Sequence, residues 1–282
     1  MPRINIAIAI PSSVLMDTQH MREKTVKLGI IARACSIYRV STIYIYRDNS
    51  GNYDQDMDFS SLILEYLETP QYLRRTIFPI MEALKFAGAL PPLRIPHHKT
   101  SGRIQEIEKG ELREGFISKQ GAHHMIDAGL GTLIPLEGQI QSMGRATVLF
   151  TSSYPELKCR VVGRDYPQEY WGYQVKKRES ISKLLKEYSE DFSVITSRSG
   201  QDIGEVWTQF CSKLQNSKRV LFLFGSPKLG VQTIMTGEGT NQSASMVINT
   251  MPGQGVITVR TEEAVTSSLS ILNLASNDKM IN

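Results

Sequence analysis

Three short segments of the C-terminal half combine glycine, small hydroxyl side chains and amides directly after apolar runs. Thr196-Ser197-Arg198-Ser199-Gly200 follows Phe192-Ser193-Val194-Ile195. Phe224-Gly225-Ser226-Pro227-Lys228-Leu229-Gly230 follows Val220-Leu221-Phe222-Leu223, and Asn249-Thr250-Met251-Pro252-Gly253-Gln254-Gly255 follows Met246-Val247-Ile248. In a parallel α/β sheet, ligands bind beyond the carboxyl ends of the strands, at loops rich in accessible backbone. Glycine lets a ligand approach the main chain closely. Loops of this kind on one sheet edge would make one pocket, although each alone also reads as an ordinary turn. No G-x-G-x-x-G opens a helix after the first strand, and G-x-x-x-x-G-K-[ST] is absent. This argues against an open dinucleotide site and a P-loop. G-x-S-x-G is missing as well, so there is no serine elbow.

These loops need a sheet to carry them, and the pattern supplies one. The chain has 282 residues, 41% hydrophobic and 21% charged, which rules out a mainly disordered protein. Residues 4–10 read as a buried strand rather than a signal peptide. Residues 18–39 read as a helix, with Asp17 as N-cap and Val26, Ile30, Ile31, Ala34 and Ile37 at helical spacing. A strand over 40–46 and helices over 59–67 and 72–86, the latter holding Pro79, complete a βαβ pattern that indicates a parallel sheet. From Leu90-Pro91-Pro92 to about Tyr166 the pattern changes. Short strands over 116–119, 123–127, 132–136, 146–151 and 157–162, separated by glycine turns, suggest a small β-barrel. The α/β pattern resumes at Trp171, with helices over 180–188, 203–214 and 261–275 and strands over 192–196, 219–224 and 245–249. The simplest organisation is one α/β domain of residues 1–91 and 166–282, interrupted by a barrel of residues 92–165.

The net charge of +4 permits a nucleic-acid partner without requiring one. Cys35, Cys159 and Cys211 lie far apart with no C-x-x-C, which argues against a disulfide scaffold or a zinc site and suits a reducing, cytoplasmic compartment. His123 and His124 are neighbours in an expected strand and face opposite sides, so no metal site is expected. No run of 18 apolar residues exists, so no membrane span is expected.

The last loop, with Thr258-Val259-Arg260-Thr261-Glu262-Glu263-Ala264 after it, resembles the final motif of SPOUT RNA methyltransferases. Ile31-Ala32-Arg33-Ala34, Thr69-Pro70-Gln71-Tyr72-Leu73-Arg74-Arg75, Leu90-Pro91-Pro92-Leu93-Arg94, Pro96-His97-His98 and Tyr170-Trp171-Gly172-Tyr173 resemble its archaeal and eukaryotic branch with an inserted OB-like domain. The resemblance covers nearly the whole chain and is weakest over 103–165. It implies a SPOUT-type α/β sheet with a C-terminal trefoil knot, an inserted small OB-like β-barrel and a homodimer. It also implies S-adenosylmethionine bound by Thr196, Ser197 and Arg198, by Phe224, Gly225 and Ser226, and by Asn249, Thr250, Met251, Pro252, Gly253, Gln254 and Thr258. Lys27-Leu28-Gly29-Ile30-Ile31-Ala32-Arg33 resembles the first motif of the ribose-methylating branch, with Lys27 where that branch has Asn. The stretch over Arg260-Thr261-Glu262-Glu263 also departs from its Ser-Leu-Asn ending. Both departures favour a base nitrogen, with uracil N3 of ribosomal RNA as the family-level expectation.

Methyl transfer from a sulfonium is an in-line displacement, so positioning contributes much of the acceleration. A base N–H must also lose a proton, which asks for a general base or a cation that stabilises the developing anion. Arg33 is a candidate cation and Glu262 or Glu263 a candidate base. Arg33 also fits a surface or dimer ion pair, and Glu262-Glu263 also fits the start of the last helix. For RNA, Arg74, Arg75, Arg94, His97, His98 and Lys99 cluster in a segment whose one carboxylate between Gln71 and Arg103 is Glu82. They could neutralise phosphates while Tyr72 stacks on a base, or form a solvated basic face. The aromatics of Tyr170-Trp171-Gly172-Tyr173 favour packing at a domain joint over base stacking. A non-catalytic RNA-binding or ribosome-assembly factor with the same fold is the alternative to an enzyme.

Overall fold

A computed structural model describes residues 4–100 and 102–277. In chain order the elements are β1 (Asn5–Pro11), α1 (Met21–Ile37), β2 (Thr42–Tyr46), α2 (Asp54–Glu68), α3 (Gln71–Ile77), β3 (Leu112–Gln120), β4 (His123–Asp127), β5 (Leu133–Glu137), β6 (Gly144–Phe150) and β7 (Cys159–Val162). They continue with β8 (Gln174–Arg178), α4 (Ile181–Glu187), β9 (Phe192–Asp202), α5 (Trp207–Gln215), β10 (Arg219–Leu223), α6 (Val231–Gly237), β11 (Met246–Asn249) and α7 (Thr261–Ser276). Two compact units result. One contains the residues up to Glu65, Lys85–Pro91 and those from Tyr173 onward, and the other contains Tyr66–Leu84 and Pro92–Gly172. The α3 segment therefore groups with the barrel, not with the sheet as the sequence division at residue 91 implies.

The first unit is a six-stranded parallel sheet of order β11-β9-β10-β1-β2-β8. Its central strands are apolar on both faces because helices cover both. Ala7, Ala9, Tyr44, Tyr46, Leu221 and Leu223 share one face and bury against Ile181, Leu184 and Leu185 of α4 and Val231, Ile234 and Met235 of α6. On the other face Phe192 and Phe222 set their rings against Phe210 of α5, which also meets Trp207. Ser180 caps α4, its hydroxyl accepting from the Lys183 N–H, as N-cap serines do. Among the described residues no helix is long and apolar enough to cross a membrane.

Several elements differ from the sequence pattern for local reasons. The helix expected over 72–86 stops at Ile77. Phe78 is extended (φ −113°, ψ 118°), as a residue before proline is driven to be, and beyond Pro79 only 3-10 turns form at Glu82–Leu84 and Ala87–Ala89. Asp17 does not cap α1, whose N-cap position is His20; its carboxylate bonds Lys27 instead. The buried face of α1 is Leu28, Ile31, Ala32 and Cys35, whereas Val26, Ile30 and Ile37 are 45%, 45% and 55% exposed. The edge strand β8 (Gln-Val-Lys-Lys-Arg) has no apolar alternation to announce it, and the short α6 also escapes the pattern.

The second unit is a closed barrel of order β3-β4-β5-β7-β6. The β5–β7 pair is parallel and the other pairs are antiparallel. Ile117, Ile126, Ile134, Val148, Phe150 and Cys159 fill its core. Beside this apolar core lies a buried polar network. Arg145 donates from Nη1 to Glu68 Oε2 at 2.6 Å and from Nε to Glu114 Oε2 at 2.7 Å. Glu114 also accepts from Thr147 Oγ1 at 2.5 Å and from Trp171 Nε1 at 2.6 Å, and Arg164 binds Glu68. Burial pushes the Glu114 carboxyl up, but Arg145, His97, the Thr147 hydroxyl and Arg164 outweigh it and hold the pKa at about 2. A depressed folded-state pKa stabilises the fold above the unfolded value and loses that effect as pH falls through the folded one. Glu114→Gln should therefore cost about 3 kcal/mol in urea unfolding at neutral pH. Its deficit relative to the parent should shrink as pH falls from 4.5 towards 2; a deficit independent of pH would contradict the assignment.

Candidate active site

Because β9, β10 and β11 are parallel neighbours, their carboxyl ends lie on one edge of the sheet. Pairing of β9 with β11 breaks there. Val247 faces Ile195, but the next residue, Ile248, faces Gln201. Residues 196–200 are extruded from that ladder, so the first loop of the sequence pattern is a bulge within a strand that runs on to Asp202. Gly200 lies against β11 so closely that a Cβ would sit 2.6 Å from the Ile248 carbonyl carbon. Gly225 likewise admits no side chain, since a Cβ would lie 2.6 Å from the Leu229 carbonyl oxygen. The turn after β10 is fixed by Ser226, whose N–H donates to Leu229 O at 2.8 Å and whose hydroxyl accepts from Leu229 N–H at 2.9 Å. The third loop begins with Asn249, whose Oδ1 accepts from Met251 N–H at 3.0 Å and whose Nδ2 donates to Arg198 O at 3.2 Å. These bonds tie the third loop to the first.

The loops enclose a cavity of about 380 Å³, a volume suited to a small-molecule ligand. Thr196, Ser197, Arg198, Phe224, Gly225, Ser226, Asn249, Thr250, Met251, Gln254 and Thr258 all line it. Pro252 and Gly253 of the same expectation do not. They form the outer turn of the third loop, where Gly253 has φ +67°. Pro227, Lys228 and Leu229 of the second loop, Thr261 and Ala264 of the stretch after the third, and Gln232, Thr233 and Ile257 also line the cavity, beyond the residues that the resemblance implies. Lys228 and Leu229 stand inside a loop already visible in the sequence. Ile257 carries no signal of its own. Backbone groups, hydroxyls and amides beside Phe224, Leu229 and Ile257 can hold a flat polar heterocycle against apolar walls.

The two expected catalytic groups are not in this lining. Arg33 is exposed on α1. Glu262 is buried at the start of α7, its Oε2 3.6 Å from Lys27 Nζ, and that ammonium also binds Asp17 Oδ1 at 2.7 Å. Burial acts to raise the Asp17 pKa, but the Lys27 hydrogen bond and charge prevail and lower it. A general base must reach the proton that it abstracts, and Glu262 instead neutralises a buried lysine. Its neighbour Glu263 performs the helix-start role, accepting the Arg260 N–H at 2.9 Å.

The expected RNA contacts divide. His97 is buried, and Nε2 of His97 and of His98 lie 2.9 and 2.7 Å from the Glu68 carbonyl oxygen. Burial lowers the pKa of both; for His98, with the adjoining His97 charge, it falls to about 4. Neither is a surface cation at neutral pH. Arg74 donates to Thr69 O and Leu67 O and lies over the Tyr66 ring, and Lys99 pairs with Glu111 at 3.0 Å. Arg75 and Arg94 are exposed. Tyr72 donates to Glu114 O at 2.8 Å, and Tyr170, Trp171 and Tyr173 are buried, so these aromatics pack and do not present stacking faces.

A parallel sheet whose carboxyl-edge loops line a cavity is the arrangement in which α/β proteins bind their ligands, here in a chain interrupted by a β-barrel unit. Residues 5–272 match the model of the family described as "Putative RNA methyltransferase", and the chain belongs to that family; it is an RNA methyltransferase. It is 30% identical to a human protein named 28S rRNA (uridine-N(3))-methyltransferase, over 95% of this chain and 77% of that one. A protein of the same name from Drosophila melanogaster is 30% identical, over 95% of this chain and 61% of that one. An uncharacterized protein of Halobacterium salinarum is 28% identical over 95% of this chain and 98% of its own length. Gly225→Ala should weaken methyl-donor binding by at least about ten-fold, roughly 1.4 kcal/mol, in calorimetry on the folded variant. Unchanged affinity would remove the second loop from the donor site.

Proposed function

We propose that this chain is a cytoplasmic, S-adenosylmethionine-dependent methyltransferase that acts on ribosomal RNA at uracil N3. The observation that carries this reading is the cavity at the carboxyl ends of β9, β10 and β11, in a chain whose relatives bear the names given above. Its size, backbone-rich walls and lack of room at Gly200 and Gly225 fit an adenosine group held by main-chain contacts. The bound cofactor would supply an activated methyl group; the loops would orient it and exclude water. The resemblance to SPOUT enzymes supports a trefoil knot in the segment carrying these loops. It also supports an OB-like role for the barrel unit in binding RNA, with Arg75 and Arg94 as phosphate contacts. Three buried free cysteines fit a reducing compartment.

A homodimer belongs to the same proposal. On α1, Val26, Ile30 and Ile37 are exposed at helical spacing, and exposed Arg33 falls on the same stripe. An apolar stripe on an outward helix face suits a partner subunit, and Arg33 becomes an interface residue in it.

Incubation with labelled S-adenosylmethionine and ribosomal RNA lacking the modification should place label on a uridine base, located by mass mapping. Label on ribose, or none on any RNA, would refute the reading. Ile30→Asp should shift the sedimenting species from dimer to monomer; an unchanged dimer would move the interface elsewhere.

A further inference from the structure

The cavity at the carboxyl edge carries charge of one sign. Among the described residues that line it, Arg198 and Lys228 are the charged ones, and there is no aspartate, glutamate or histidine. Arg198 donates from Nη1 to the Ile257 carbonyl at 2.9 Å. The Lys228 ammonium has no ion-pair or hydrogen-bond partner among the described residues. Its main chain is nevertheless held, because the turn over Ser226 and Leu229 is closed by the hydrogen bonds described above and packed against Gly225. An exposed, unpaired cation on a hydrogen-bonded turn at the wall of a cavity contributes little to folding and is available to a bound group.

The proposed reaction makes a demand that this lining cannot meet by proton abstraction. Uracil N3 is an imide nitrogen that bears a proton, and its lone pair is delocalised into two carbonyls, so it attacks a methyl group only after the proton has left. A side-chain base would have to stand within hydrogen-bond reach, and no lining carboxylate or imidazole does. What the cavity offers is a cation, and a nearby positive charge favours the anionic form of an acid.

We infer that Lys228 is a catalytic residue that holds the target uracil as its N3 imide anion, its ammonium donating to a uracil carbonyl oxygen that shares the negative charge. The N3 proton passes to water. The N3 electron pair then forms the new N–C bond while the S–CH3 bond breaks, its pair staying on sulfur, which changes from sulfonium to neutral thioether. Lys228 keeps its proton throughout. This inference rests on the reading of the chain as a uridine-N3 methyltransferase.

The test measures single-turnover methyl transfer to unmodified ribosomal RNA, at saturating donor, from about pH 6 to about pH 10, in the parent, Lys228→Gln and Lys228→Arg. An opposite charge near an acid moves its pKa by about one unit or more. Lys228→Gln should therefore be about ten-fold slower at neutral pH, with its pH midpoint about one unit higher and its rate approaching the parent's at the alkaline end. Lys228→Arg should keep the parent's midpoint. Calorimetric affinity of Lys228→Gln for S-adenosylmethionine should stay within about two-fold of the parent, roughly 0.4 kcal/mol. A weakened donor affinity would make Lys228 a holder of the donor's carboxylate and overturn the inference. A shallower salt dependence of RNA binding with an unmoved pH midpoint would make it a phosphate contact, with the same consequence. Transfer to N3 that is unchanged in Lys228→Gln overturns this inference alone, while methylation at any other atom overturns the functional reading with it.

Discussion

The break in pairing between β9 and β11 sets the geometry of the candidate site. Ile195 and Gln201 lie opposite consecutive residues of β11, so residues 196–200 must leave the ladder within the rise of one residue. Their backbone groups then leave the regular β11 ladder; the Arg198 carbonyl accepts from the Asn249 side chain and the Ser199 N–H from within the bulge donates to Ser197 Oγ, while the segment lines the cavity. Everything around this bulge is arranged at main-chain distance. Gly200 lets the bulge rejoin the sheet, Gly225 lets the next turn close, and the Asn249 amide ties the first loop to the third. Recognition built this way asks little of side-chain identity, which is why small hydroxyl residues and glycines suffice.

The order of strands and helices is legible in the sequence because the central strands are apolar on both faces and short turns punctuate them. The barrel is legible from five closely spaced strand signals. What escapes is what has no hydrophobic period. The edge strand β8 is almost wholly polar, and α6 is too short to show a pattern. Pro79 is visible in the sequence, yet an apolar spacing across it reads as one helix; the extended Phe78 shows the local backbone rule winning over periodicity. Most of the cavity lining is legible as post-strand loops. The places of Arg33 and Glu262 are not, since the sequence cannot tell that Lys27 is buried and must be neutralised by Asp17 and Glu262.

The two units use charge in opposite ways. In the barrel unit, cations that look like a basic surface in the sequence are largely committed to the fold: Arg145 bridges Glu68 and Glu114, and Lys99 holds Glu111. The histidines after Pro96 sit on a carbonyl and are kept neutral. In the sheet unit the cavity retains an ammonium that the fold does not use. A count of basic residues thus overstates the nucleic-acid surface of one unit and overlooks the cation of the other.

Strand β1 lies between β2 and β10 in the sheet. During synthesis its first neighbour emerges early, but the other does not exist until Arg219–Leu223 has been made, after the whole barrel has left the ribosome. Until then one side of an apolar strand has no hydrogen-bonded mate. The barrel's strands are thus all synthesised before the sheet that carries the cavity loops acquires its centre, and over that interval an apolar strand edge is left open to wrong pairing.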